Sequence, residues 1–272
     1  MKCIVCESSM NYYFSKTYNK EPFKTMMKDI GEVKYYKCEN CSLTISKTHK
    51  ELEQNKWEKL NFDFHHYLEN NSTDINQPPY LEQALLIKIL SENGIINSEN
   101  MLDYAGGYGS LSKLLKKYFN INLPVYDPYV QNNSFVEYIN KENLTKYSTV
   151  INSALFEHLV YRKQFDEINS LVIPNNGAMI IHTRISEDIQ NDPNWFYLEP
   201  PVHTTFHTNK SMEILMEQWG YKSSIYCMSA RCWILLKSDD SIIEQKVNEI
   251  NKEMQTEYLV YKKSFVDYWK GF

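Results

Sequence analysis

A chain of 272 residues is long enough for one α/β domain with a small appendage, or for two modest domains. Its 43% hydrophobic and 14% aromatic content excludes a disordered chain, and a formal net charge of -5 argues against general attraction to nucleic acid or to anionic membranes. No apolar run reaches the roughly 18 residues of a membrane span, and the opening "MKCIVCESSMNYYF" lacks the apolar core of a signal peptide, so the expected location is the cytoplasm.

Four of the six cysteines, Cys3, Cys6, Cys38 and Cys41, lie in the first 41 residues. Residues 1–60 also carry 11 Lys and no Arg against 8 Asp plus Glu, so this stretch is basic while the remainder is acidic. Both features mark residues 1–60 as an N-terminal module, with a hairpin expected around "NYYFSK" and "EVKYYK". Residues 61–79 follow as a linker or lid: "FHHY" (64–67) could drape over a ligand or form a surface helix, and "ENNSTDINQPP" (69–79) has loop composition.

From Tyr80 the pattern alternates between helix and strand. "PYLEQALLIKILSENG" predicts a helix with Leu81, Ala84, Leu85, Ile87, Ile89 and Leu90 as its apolar positions, ended at Gly94. "NMLDYA" is a strand, and "SLSKLLKKYF" a helix with Ser110 as N-cap. Strands follow at "LPVYD", more weakly at "FVEYI", and at "STVINSA"; then come a helix over "HLVYRKQFDEINSLV" and a strand at "GAMIIHT". After an irregular stretch from 185 to 208, "NKSMEILMEQWGY" is a helix, "KSSIYCMSARCWILLKS" two strands around a turn, and 239–272 a helical tail. Strands separated by helices predict a doubly wound, mainly parallel α/β sheet over 80–238, and two adjacent strands at its end predict an antiparallel final pair.

Each Cys-x2-Cys pair can turn two thiolates onto one ion, and two pairs give tetrahedral S4 coordination. In a reducing cytoplasm this predicts structural zinc on Cys3, Cys6, Cys38 and Cys41, with every ligand position closed. Cys227 and Cys232 read as small buried hydrophobes.

The stretch "MLDYAGGYGSLSKLL" (101–115) joins a strand to a helix through glycines, placing free N–H groups and a partial positive charge at the helix start. A dinucleotide fingerprint beginning at Gly107 needs glycine where Ser112 stands, and a P-loop needs the absent G-K-[ST]. The remaining frame, D-x-A-x-G-x-G, resembles motif I of the class I S-adenosylmethionine-dependent methyltransferases, departing from it at Ala105. The resemblance implies a Rossmann-like seven-stranded sheet with an antiparallel last strand and S-adenosylmethionine as cofactor. It further implies that Asp103 holds the cofactor's amino group and that Ala105, Gly106, Gly107 and Gly109 line its amino-acid part and ribose. Asp127, 24 residues after Asp103 in "LPVYDPY", would accept the ribose hydroxyls, although Asp-Pro is also a turn former. Asn152, at the end of the next strand, would face the same cofactor.

Chemistry is expected from histidines. His158, in the "EH" of "INSALFEHLV", could deprotonate an acceptor with Glu157 orienting it, or both could simply open the next helix. "NWFYLEPPVHTTFHTNKSMEILMEQWGY" (194–221) resembles a run in sugar and surface-polysaccharide methyltransferases. There His203 would be the base, and Trp195, Phe196 and Tyr197 an apolar wall. His207 is a weaker candidate, and His182 reads as packed or hydrogen-bonded. A zinc module fused to this core resembles deoxysugar methyltransferases, without their long C-terminal domain. The implied reaction is methyl transfer to a small polar metabolite, with O-methylation of a sugar, or of another nucleotide-activated precursor of a surface polysaccharide such as the capsular phosphoramidate, best suited to the chain's length. An RNA methyltransferase whose module grips nucleic acid and a noncatalytic scaffold are the competing readings, and overall acidity counts against the first.

Overall fold

The computed structural model describes residues 1–71, 78–130, 136–238 and 241–267. In chain order the first half holds β1 (Met10–Lys16), α1 (Phe23–Met26), β2 (Val33–Cys38), β3 (Thr44–Ser46), α2 (Lys47–Lys50), α3 (Gln54–Asn71), α4 (Tyr80–Glu92), β4 (Met101–Tyr104), α5 (Ser110–Leu114) and β5 (Val125–Tyr126). The second half holds β6 (Thr149–Ser153), α6 (Arg162–Ser170), β7 (Ala178–His182), β8 (Ile185–Ser186), β9 (Thr205–Thr208), α7 (Asn209–Gln218), β10 (Ser223–Cys227), β11 (Cys232–Leu236), α8 (Ser241–Met254) and β12 (Leu259–Lys263). They fall into two compact units: Met1–Asp74 with Phe156–Phe165 and Arg184–Ile214, and Ile75–Leu155 with Asp166–Thr183 and Leu215–Phe272.

The second unit is the α/β sheet read from the sequence, in the order β12-β10-β11-β7-β6-β4-β5. β5, β4, β6 and β7 run parallel, with Asp103 beside Val125 and Ile151 and Asn152 beside Ile181. Thr149 to Asn152 and Ala178 to Ile181 are buried without alternation, as a sheet covered on both faces requires. β11 packs antiparallel on β7, and β10 and β11 form the expected antiparallel pair, with Cys227 opposite Cys232 and both buried. The strands number seven, but not the seven expected. Near "FVEYI" there is only an isolated parallel bridge between Val125 and Tyr138, and the seventh strand is β12, antiparallel to β10. The helical reading of 239–272 therefore holds only as far as Met254 among the described residues; beyond it, "YLVY" is aromatic and β-branched and pairs as a strand. Residues 239–240 and 268–272 of that tail lie outside the described residues.

α4 buries Gln83, Ala84, Leu86, Ile87 and Leu90, not the Leu81 and Leu85 face. Lys88 and Glu92 explain the rotation: they pair at 2.7 Å on the same row as Leu81 and Leu85, so that row faces solvent. The helix after β4 also departs from expectation. Gly109, with φ +68°, caps it instead of Ser110, and its second half, Leu115–Phe119, widens into a π-helical turn.

The first unit is built on a second sheet, β1-β2-β3-β9-β8. β1 and β2 form the hairpin expected from "NYYFSK" and "EVKYYK", with a bulge between Tyr12 and Phe14. The boundary drawn after residue 60 is not where this unit ends. β3 pairs antiparallel with β9 (Thr44 beside Phe206, Ile45 beside Thr205), so part of the 185–208 stretch completes the N-terminal sheet. Phe14, Tyr35 and Phe206 stack through that sheet at ring separations of 5.0 and 5.7 Å. Leu60 and Phe64 of α3 join the same core, so the linker or lid assigned to 61–79 is helix at its start. Residues 72–77 of that segment lie outside the described residues.

The rotation of α4 makes a direct prediction. Leu86→Ala should cost about 2–5 kcal/mol and Leu85→Ala less than about 1 kcal/mol in urea unfolding monitored by circular dichroism.

Candidate active site

The glycine turn belongs to the second unit. β4 ends at Tyr104, and Ala105 then adopts φ +61°, with its N–H bonded to the Tyr126 carbonyl at 2.6 Å. This is the left-handed conformation that glycine takes freely and alanine only at a cost of about 1–2 kcal/mol. Gly106 does not relieve it, because its role is different. A Cβ there would lie 2.4 Å from Asp103 Oδ2 and 3.0 Å from Val125 Cγ1, so the Asp103 carboxylate fills the space a side chain would need. At Gly107 (φ +53°) a Cβ would have nothing within 4 Å, so within the protein only its left-handed conformation calls for glycine. At Gly109 a methyl would meet both Val136 methyls at 2.8 Å. Ser112, at the position where a dinucleotide fingerprint needs glycine, is buried and donates to the Leu123 carbonyl at 2.7 Å.

Asp103 is 2% exposed, and its Oδ1 has no hydrogen-bond partner. Burial, reinforced by the nearby Asp127 carboxylate, pushes its pKa up from 3.8 to about 7. Asp127 accepts from the Gly107 N–H at 2.9 Å through Oδ2, and from Tyr129 and Val130 at 2.8 and 3.0 Å through Oδ1. It thus holds the Asp-Pro turn and the glycine turn together. Tyr138, a residue sequence reasoning missed, donates its hydroxyl to the Gly107 carbonyl at 2.8 Å, so that Gly107 is held through both its N–H and its carbonyl. Asn152 is fully buried, and neither polar atom of its amide has a partner. His182 is hydrogen-bonded, its Nδ1 donating to the Arg231 carbonyl at 2.9 Å.

The remaining histidines belong to the first unit. Glu157 and His158 lie on a short 3-10 turn, Phe156–His158, separate from α6. Thr204 secures that turn, donating both its N–H (2.7 Å) and its hydroxyl (3.1 Å) to the Glu157 carbonyl. The adjacent His203 is thereby brought to His158, ring centres 5.3 Å apart in an edge-to-face arrangement, with His65 5.7 Å from His158 on its other flank. His203 Nδ1 lies 2.7 Å from the Tyr197 carbonyl, which can only accept, so the proton is on Nδ1 and Nε2 carries the lone pair. Tyr197 also donates its hydroxyl to Glu157 Oε1 at 2.8 Å. Burial lowers the His203 pKa to about 4, partly offset by the Tyr197 bond. It lowers His158 well below the ordinary imidazole range, with His203 and His65 adding to the effect.

His207 is a core residue packed against Phe156 and Phe165. The three rings expected to form an aromatic wall are in mutual contact, with centres 5.5, 6.1 and 6.2 Å apart. Their surroundings differ: Trp195 is buried in the core, Phe196 is largely exposed, and Tyr197 packs on His203 at 4.5 Å. In "FHHY", Phe64 is core, His65 meets His158, and His66 stacks on Phe62.

The four N-terminal cysteines converge in the first unit. Their Sγ atoms lie within 4.8 Å of one another, with Cys3–Cys41, Cys6–Cys38 and Cys6–Cys41 at 3.6, 3.4 and 3.6 Å. Ions at the usual Zn–S distance of about 2.3 Å set sulfurs roughly 3.8 Å apart, so the group can hold a metal ion. The two pairs are copies of one turn. Cys3 and Cys38 each donate N–H to the carbonyl five residues on, at 2.9 Å, and each accepts from the residue four on, at 3.1 Å. Those residues, Glu7 and Ser42, take φ +60° and +57°.

Residues 78–223, more than half of the chain, match the family model described as a methyltransferase domain. No curated protein matched the sequence. Among solved structures, the chain resembles magnesium protoporphyrin IX methyltransferase from Synechocystis PCC 6803 at 12% identity and TM-score 0.43, over 68% of this chain and 98% of that one. It resembles an O-methyltransferase family protein from Burkholderia thailandensis at 15% identity and TM-score 0.44, over 69% and 60%. The plantazolicin methyltransferase BpumL gives 10% identity and TM-score 0.46, over 74% and 87%.

The different duties of Ala105 and Gly106 are separable. Ala105→Gly should leave stability unchanged or raise it by up to about 1 kcal/mol, while Gly106→Ala should lower it by more than about 2 kcal/mol, both read from chemical denaturation.

Proposed function

Because the chain belongs to the methyltransferase-domain family, whose enzymes use S-adenosylmethionine, we propose that it methylates a hydroxyl of a small polar metabolite. We assign that acceptor as a sugar or a nucleotide-activated precursor of a surface polysaccharide, the capsular phosphoramidate included. The observation that carries the cofactor assignment is Asp103, a buried carboxylate with an unpartnered oxygen, set in a turn whose glycines leave the backbone bare. An ammonium group is the partner such a buried acid calls for, and the amino-acid end of S-adenosylmethionine carries one.

When bound, the cofactor supplies a methyl group activated on a sulfonium. Asp103 would hold its ammonium, and Ala105, Gly106, Gly107 and Gly109 would face its amino-acid part and ribose. Asp127 keeps one acceptor site, on Oδ2, beyond its three backbone bonds for a ribose hydroxyl, and Asn152 has a whole amide to offer. His203 and His158, neutral through burial, would activate the acceptor hydroxyl, His203 through the lone pair on Nε2. The four converging cysteines would hold structural zinc, and the cytoplasm is the location proposed for the chain. Among the described residues no helix is long and apolar enough to cross a membrane.

Two outcomes test this reading. In the free protein Asp103 is protonated below its pKa of about 7, and an ammonium partner favours the carboxylate, so binding must release a proton on the acid side. Affinity for S-adenosylmethionine should rise from about pH 5.5 to about pH 7 and level off above. Calorimetry near pH 6 in buffers of different ionisation enthalpy should show the released proton, and Asp103→Asn should abolish it; no binding by well-folded protein would overturn the assignment. With acceptor in hand, His203→Ala should lower kcat by about 100-fold or more and leave cofactor affinity within about twofold. Near-normal turnover would move activation to His158.

A further inference from the structure

One chemical group in the first unit is larger than a hydrogen-bonded histidine needs. Glu157, His158 and His203 each present a ligand atom, and the three atoms lie within 4.8 Å of one another. We infer that these three residues form a binding site for a divalent transition-metal ion, and that the ion holds the oxygen atoms of the hydroxyl acceptor. The inference rests on the methyl-transfer reading above for the acceptor's role, but the site itself stands on geometry.

Three lines of observation support it. The donor set, two imidazoles and one carboxylate, is the set that binds borderline divalent ions while leaving coordination positions open. Bonds of about 2.0–2.2 Å at tetrahedral angles set ligand atoms roughly 3.3–3.6 Å apart, a spacing that a group lying within 4.8 Å can adopt by side-chain adjustment. Next, the ligands are already oriented from behind. The Tyr197 carbonyl accepts a hydrogen bond from the His203 Nδ1–H at 2.7 Å, which leaves Nε2 to bind, and the Tyr197 hydroxyl donates to Glu157 Oε1 at 2.8 Å. A metal-binding imidazole commonly has such a partner on its other nitrogen, and a carboxylate ligand a donor on one oxygen. Tyr197 is itself tethered by the Arg184 N–H at 3.2 Å. Finally, the Nδ1 of His158 is buried and has no hydrogen-bond partner. A buried ring nitrogen without a partner is costly, and a metal ion would engage it as a ligand.

The contrast with the cysteine group is informative. Four thiolates close a tetrahedron, whereas three ligands leave room for an exogenous oxygen. An acceptor hydroxyl in an open position becomes more acidic on the ion, and its proton passes to solvent. His203 and His158 then activate the acceptor as ligands.

Metal analysis tests the site without reference to turnover. Full-length wild-type protein, Glu157→Gln and His203→Ala would be dialysed against Co2+, washed, and total bound metal of every kind counted per chain. The visible spectrum would separate thiolate-bound cobalt, with its charge-transfer absorption, from nitrogen- and oxygen-bound cobalt, without it. The expected result is one bound ion fewer per chain in both variants, the missing ion being the one without thiolate absorption. Glu157→Gln keeps the size of the side chain and can still accept from Tyr197, and thermal unfolding would confirm that each variant is folded. Equal metal content in all three proteins, or cobalt held only by thiolates in the wild type, would overturn the site. Calorimetry with S-adenosylmethionine on the same samples separates the two ideas: wild-type protein that binds the cofactor but holds no cobalt outside the thiolates sinks this site, and wild-type protein that holds that cobalt but binds no cofactor sinks the methyl-transfer reading.

Discussion

The turn after β4 is organised around a single buried acid. Asp103 sits in parallel register beside Val125, and its carboxylate occupies the volume a side chain at 106 would need. That one packing decision fixes Gly106 as glycine. It also sets Asp103 near a second carboxylate, Asp127, whose oxygens then anchor the Gly107 peptide and the turn that follows β5. A buried acid with an orphan oxygen works against stability, and such groups are kept where a ligand needs them. The strained Ala105 belongs to the same arrangement: the turn takes a left-handed residue at that point whether or not the side chain suits it.

What could be read from the sequence was what is local. The glycine turn, the paired cysteines, the β10–β11 pair and the alternation of strand and helix all have short-range signatures, and each is present. What could not be read was convergence. β3 and β9 are separated by most of the chain, and nothing in "TIS" or "TFHT" announces the other. The same holds for Glu157–His158 and His203: each was legible as a candidate, but their meeting depends on a backbone bond from Thr204 to Glu157. Two further misses had local signals that were outweighed. The Lys88–Glu92 pair marked the outer face of α4, and the aromatic "YLVY" after Met254 marked a strand inside a segment whose charge pattern looked helical.

Tyr197 ties together the residues of the histidine group. Its carbonyl fixes the tautomer of His203, its hydroxyl orients Glu157, and its ring packs on the His203 imidazole. Sequence position made it one of three aromatic neighbours; the 3-10 turn gives the three different surroundings. The unit thus contains two metal-capable groups of opposite character, one enclosed by backbone turns and sulfur, the other built of nitrogen and carboxylate.

The seating of β9 beside β3 has a consequence during synthesis. By the time Ser46 leaves the ribosome, the hairpin, β3 and all four cysteines exist, but the neighbour that will cover the outer edge of β3 is encoded roughly 160 residues later, a delay of about 10–30 s at ordinary elongation rates. A sheet formed in that interval would present Thr44 to Ser46 as an open edge, the kind of surface that recruits other strands. The shortness of β3 is then itself protective: three residues offer a stray strand little to pair with, while the native partner arrives already attached to the same chain.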